Sequence, residues 1–132
     1  AIVVHCPGSH TWFEREPFPK QRFADAGCVL ALGTDSAASN AALDMRRELA
    51  LAVGSGDWTP AEAWEAATAG AARALGLEGR VGRLAAGYWA DLAVFSHSSE
   101  TLDDACDWLT GSIPAVRSVW IGGREVSSGE PG

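Results

Sequence analysis

The sequence predicts an α/β fold whose last third is mostly β, and three observations carry that expectation. Two continuous apolar runs, Ala1 to Val4 and Cys28 to Leu32, bracket a short helical stretch. Helix patterning then dominates as far as Leu75, and beyond Gly79 it gives way to short β segments punctuated by glycine.

Taken in order, Ala1 to Val4 is β-branched and shows no alternation, the pattern of a strand buried on both faces of a parallel sheet. Pro7 to Pro19 contains Gly8, Pro17 and the aromatics Trp12, Phe13 and Phe18, and reads as a long loop of the kind that carries function in compact domains. A short helix is expected over Lys20 to Ala26, ended by Gly27, and the strand Cys28 to Leu32 completes a βαβ unit. Ala41 to Val53 repeats apolar residues at helical spacing until Gly54-Ser55-Gly56 stops it, with Arg46, Arg47 and Glu48 expected on its polar face. Thr59-Pro60-Ala61-Glu62 combines an N-cap, a proline at the first helical position and a capping-box glutamate, so a helix should run from there to about Leu75, with Gly76 closing it. In the β-rich part, Asp91 to Phe95 reads as a strand and Leu102 to Leu109 as a short helix. Val116 to Ile121, Gly122-Gly123 and Arg124 to Val126 read as a hairpin. The one boundary lies near residues 78 to 82, dividing 1–78 from 79–132.

A chain of 132 residues supports one core. Its 47% hydrophobic and 20% charged residues fit a soluble globular protein, and no apolar run approaches the roughly 20 residues of a membrane helix. A net charge of -7, from 17 acidic and 10 basic residues, argues against nucleic acid as a partner, because phosphate binding draws on clustered Lys and Arg. Cys6, Cys28 and Cys106 form no C-x-x-C pair, so neither a disulfide framework nor a zinc knuckle is expected and a reducing cytoplasm is the simplest location. The opening Ala-Ile-Val-Val has no basic n-region and is not read as a signal peptide.

In parallel α/β proteins, catalytic groups gather at the C-terminal ends of strands. Asp35 follows the second apolar run in Gly33-Thr34-Asp35-Ser36 and so stands at such an end. It could be a metal ligand or general base of a hydrolytic site, or alternatively a helix N-cap or a hydrogen-bonded loop carboxylate. His5, Cys6 and His10 share that end, which permits a Cys-His-Asp nucleophilic site on paper, although buried cysteines are common and adjacent strand residues face opposite ways. Ser9, His10, Trp12 and Phe13 either line a substrate pocket or pack their segment onto the strand ends. His97, among serines, reads as a solvated loop residue.

Four stretches together resemble the amidohydrolase superfamily, in its chlorohydrolase, S-adenosylhomocysteine deaminase and aminodeoxyfutalosine deaminase branch. They are Val4-His5-Cys6-Pro7-Gly8-Ser9-His10; Leu32-Gly33-Thr34-Asp35-Ser36 through Ser39-Asn40 to Leu43-Asp44-Met45 and Glu48-Leu49; Thr59 to Ala63 with Ala67-Thr68 and Gly70-Ala71-Ala72; and Gly82-Arg83-Leu84 with Ala90-Asp91-Leu92 and Gly122 to Val126. The resemblance implies the last two βα units of a metal-dependent-hydrolase (β/α)8 barrel (1–78) and the closing strands of a small β-sandwich (79–132), incomplete by themselves. It implies that Asp35 is both a metal ligand and the catalytic proton relay, with Ser9 and His10 in substrate binding, and that the reaction cleaves a C–N bond of a purine-like or related heterocycle. It implies one divalent metal, zinc first and iron second, held by an intact enzyme and not by this chain alone. The family's His-x-His ligand pair has no counterpart among His5, His10 and His97. The chain alone is therefore expected to be inactive, and to pair with a complementary N-terminal fragment or to self-associate. A truncated, non-catalytic assembly module is the alternative. A histidine at position 10, with Phe13 and Pro17-Phe18-Pro19, is similar to the aminodeoxyfutalosine deaminase members.

Overall fold

The computed structural model describes residues 1–96 and 114–128. A βαβ unit opens the chain: β1 (Ile2–His5), α1 (Pro7–Trp12), α2 (Lys20–Asp25) and β2 (Val29–Leu32). The strands are parallel and in register from Ile2 opposite Val29 to His5 opposite Leu32. Their C-terminal ends therefore stand side by side, and residues 6–10 and 33–36 leave from one edge.

Double burial of β1 does not hold. Ile2 and Val4 are 52% and 53% exposed whereas His5 is 7% exposed. Only one face of the strand is covered, and among the described elements only β2 pairs with it. Pro7 to Pro19 is not all loop either, because its first half forms α1. Pro7 sits in the first turn, where its fixed φ suits a helix and its missing N–H costs nothing.

The core forms where α3 (Met45–Gly54), α4 (Pro60–Ala67) and α5 (Ala69–Ala74) pack against β2, around Leu32, Leu49, Ala52, Trp58, Ala63 and Ala66. Small residues let the helices approach closely: a Cβ on Gly70 would stand 2.6 Å from the Leu30 carbonyl oxygen. Helix α3 starts four residues later than the apolar spacing predicts, because the Asp44 side chain caps it by accepting from the Arg46 N–H at 2.9 Å. The capping box at Thr59 and Glu62 is formed as expected. The helix it opens is interrupted at Thr68, however, whose hydroxyl donates to the Trp64 carbonyl at 2.7 Å while its backbone leaves helical geometry.

The described residues of the β-rich part form a three-stranded antiparallel sheet of β3 (Leu92–Phe95), β4 (Val116–Ile121) and β5 (Arg124–Ser128), in that order. The β4–β5 turn places Gly122 and Gly123 at φ of 58° and 78°, the conformation for which a two-residue hairpin selects glycine. The expected helix over Leu102 to Leu109, together with Cys106 and His97, lies outside the described residues.

Candidate active site

β2 ends at Leu32, and Gly33 and Thr34 lead to Asp35, whose backbone takes φ of 55°. A non-glycine residue in the left-handed region is uncommon and is held there by its surroundings. Two hydroxyls meet its carboxylate on one oxygen: Ser9 Oγ donates to Oδ2 at 2.7 Å and Ser39 Oγ donates to the same atom at 2.8 Å. The hydrogen bond from Ser9, then that from Ser39, holds the Asp35 carboxyl below its ordinary range, so it is ionised at neutral pH. Asp35 caps no described helix, since Asp44 caps α3. The other carboxylate oxygen has no side-chain donor among the described residues.

Ser9 reaches Asp35 because α1 begins directly after β1 and turns its buried first turn toward the β2 edge. A cleft of about 280 Å³ opens beside it, with Ser9, His10, Phe13 and Phe18 among its walls. The imidazole of His10 is fixed by its own segment, Nε2 lying 2.6 Å from the Glu16 carbonyl oxygen. Trp12, at 60% exposed, does not line this cleft.

His5 and Cys6 do not assemble into a nucleophilic site. His5 is stacked on Phe18 with ring centroids 4.0 Å apart, and neither ring nitrogen has a partner among the described residues. Burial, helped by the nearby His10 and opposed by Asp57, lowers its pKa to about 4, so it is neutral at pH 7. Burial pushes the Cys6 thiol up, against backbone hydrogen bonds from Asp35 and Gly33. A neutral thiol is a poor nucleophile.

Glu48, expected on the polar face of its helix, is instead 0% exposed. Oε2 accepts from the Gly8 N–H at 2.7 Å and Oε1 from Asn40 Nδ2 at 2.6 Å. Asn40 Nδ2 also donates to the Thr34 carbonyl at 2.8 Å, and Asn40 Oδ1 accepts from Arg47 Nη1 at 2.8 Å. Arg46 lies in an ion pair with Asp44. Glu48 directly follows the Arg46-Arg47 pair, which makes it resemble a solvated charge cluster. The one contrary signal is its place one residue before the core Leu49.

Among the described residues there is no group of three or more His, Cys, Asp and Glu side chains able to hold an ion.

An ionised aspartate braced at the C-terminal edge of parallel strands, next to a serine that borders an open cleft, defines the class: an α/β protein with a carboxylate where such folds gather their functional groups. The chain matches the amidohydrolase family over residues 2–126, and it belongs to that family. It is 43% identical, over 118 residues, to a 5-methylthioadenosine/S-adenosylhomocysteine deaminase of Halobacterium salinarum, covering 83% of this chain and 27% of the relative. A zinc-bound adenosine deaminase of Xanthomonas campestris superposes with a TM-score of 0.78 at 34% identity, over 94% of this chain and 31% of that one. The aminofutalosine deaminase of Helicobacter pylori superposes with a TM-score of 0.83 at 26% identity, over 96% of this chain and 33% of that one. The chain thus spans about a third or less of each of these three proteins.

Proposed function

We propose that this chain is the C-terminal part of a metal-dependent hydrolase that removes an amino group from a purine-like or related heterocycle, with Asp35 as metal ligand and proton relay. The observation that carries the proposal is the braced, ionised carboxylate at the strand edge. Residues 1–78 would be the last two βα units of a (β/α)8 barrel and 79–132 the closing strands of a small β-sandwich. The parallel, in-register β1 and β2 and the separate antiparallel sheet support that division. Relatives named as deaminases support the reaction class.

The carboxylate of Asp35 suits a divalent cation, zinc before iron, with the remaining ligands supplied from outside the described residues. Such a metal acts as a Lewis acid and brings the pKa of water toward neutrality. Asp35 accepts the proton of the attacking water and returns it to the departing amine, which leaves as ammonia. Ser9 and Ser39 hold Oδ2 and favour the ionised form that this first transfer requires. His10 and Ser9 border the cleft and are the polar groups proposed to face substrate, Ser9 while also donating to Asp35. The histidine at position 10 favours a substrate of the kind taken by the aminodeoxyfutalosine deaminase members, and the aminofutalosine deaminase is among the chain's structural neighbours. A reducing cytoplasm is the proposed location, in keeping with Cys6 and Cys28 as free thiols.

The test is Asp35→Asn in the intact, metal-loaded enzyme, followed by ammonia release. Turnover should fall by several orders of magnitude with the fold retained, because the metal loses charge balance and the water its base. Near-normal turnover would remove Asp35 from the mechanism. A second reading, an assembly module without activity, is favoured by one observation, the exposed apolar face of β1 at Ile2 and Val4.

A further inference from the structure

Asp35, Ser9 and Ser39 come from two separate stretches of chain, and each is the immediate neighbour of a residue tied into a second, buried cluster. Thr34 precedes Asp35, Gly8 precedes Ser9, and Asn40 follows Ser39. Glu48, wholly buried on α3, joins Gly8 to Asn40, and Asn40 in turn joins Thr34. From this adjacency we infer that Asn40 and Glu48 are positioning residues that set the carboxylate of Asp35. The inference rests on the reading of Asp35 as the catalytic carboxylate.

The bonds account for features that are otherwise unexplained. The Asn40 side chain holds the carbonyl of the residue directly before Asp35, at the point where the backbone enters its left-handed conformation. Without that bond the 33–36 segment is free to relax toward ordinary φ. The Gly8 N–H fixes the start of α1, and therefore the place from which Ser9 donates. Position 8 has no room for a side chain: a Cβ would stand 2.3 Å from Asn40 Oδ1. Arg47 holds that same Oδ1, which fixes the Asn40 amide with its nitrogen toward Thr34 and Glu48. Buried polar groups satisfied in this way specify one arrangement of the segments they join. Neither residue donates to or accepts from the Asp35 carboxylate directly, so both act through the backbone and through Ser9 and Ser39.

The experiment uses the intact enzyme loaded with zinc for turnover and with cobalt(II) for visible absorption, both measured well below each variant's melting temperature. Asn40→Asp keeps size but turns two donated bonds into oxygen-to-oxygen contacts. Expected are a kcat lowered about 10- to 100-fold, as an ångström-scale displacement of a reacting group produces, a KM within roughly threefold of the parent, and shifted cobalt bands. If the variant lowers only the melting temperature, with kcat and cobalt bands of the parent, the cluster is merely structural and the inference is overturned. Should Asn40→Asp not fold, Asn40→Asp with Glu48→Gln reverses the polarity of the 40–48 bond and leaves only the Thr34 carbonyl without its donor; the same two readouts then decide. Asp35→Asn, run alongside, separates the two ideas. If it leaves turnover and bands unchanged, the catalytic reading of Asp35 fails and the inference with it. If it abolishes turnover while the position 40 variants change nothing, the positioning inference alone fails.

Discussion

At the scale of single residues, two side chains at neighbouring strand ends are driven to opposite charge states by their surroundings. Asp35 is exposed and accepts two hydroxyl donors, which favours its charged form, whereas His5 is enclosed by aromatic rings that supply no hydrogen bond to its nitrogens. The sign for His5 follows from proton counting. The unfolded chain binds a proton at this histidine below about pH 6.5, while the folded chain does so only near pH 4. Between those values the unfolded state holds more protons, so stability is whole above about 6.5 and is lost as pH falls toward 4. A melting-temperature series across that window should therefore slope upward with pH, and His5→Leu should flatten it. Equal slopes in the two proteins would mean that His5 is not a source of the acid sensitivity. The position of Asp35 was legible in the sequence because an aspartate three residues beyond an apolar strand has few places to go. Its bracing was not, since Ser9 and Ser39 approach from positions 26 residues before and four residues after it.

Among the elements, the sequence was most informative where local chemistry decides the structure. Thr59, Pro60 and Glu62 specify a helix start through contacts within four residues, and that start forms as expected, with the Thr59 N–H and hydroxyl both donating to Glu62. Its contribution can be measured: Thr59→Ala should lower stability by about 1 kcal/mol, the usual cost of an N-cap, and leave turnover of the intact enzyme unchanged. A denaturant midpoint equal to the parent's would show that α4 is held by packing alone. Where tertiary contacts decide, the local pattern misled. Pro7-Gly8 reads as a loop signal, yet Pro7 serves as a first-turn residue and Gly8 is small because Asn40 lies against it. Glu48 follows two arginines and looks solvated, yet its partners stand 40 residues earlier and eight residues earlier in the chain. The same long-range cluster that hides Glu48 from a periodicity argument brings the Asp35 and Ser9 segments together.

For the whole molecule, the energetic problem is the uncovered side of β1. Both barrel strands of the proposed architecture lie in a two-stranded sheet, and Ile2, Val4, Phe13 and Trp12 present large apolar surface to solvent. A closed barrel abolishes strand edges, whereas a two-stranded remnant leaves an edge able to pair with another chain. A (β/α)8 barrel takes about 250 residues, well beyond the 132 available here. A single carboxylate also cannot hold zinc, which takes three or four protein ligands. The 132 residues produced alone should therefore self-associate, bind no stoichiometric metal and release no ammonia from a purine-like substrate. Light scattering, metal analysis and an ammonia assay on the same preparation check all three. Co-production with a polypeptide carrying the earlier barrel strands and a His-x-His pair should yield a soluble complex with about one metal per pair, and Ile2→Lys with Val4→Lys should prevent it by placing charge on the face that the complex would bury. A monodisperse monomer of this chain that binds zinc and deaminates would overturn the division of the site between segments. A monomer that stays soluble, inactive and metal-free, and ignores the complementary polypeptide, would instead point to a covered β1 face and a folded unit independent of a barrel.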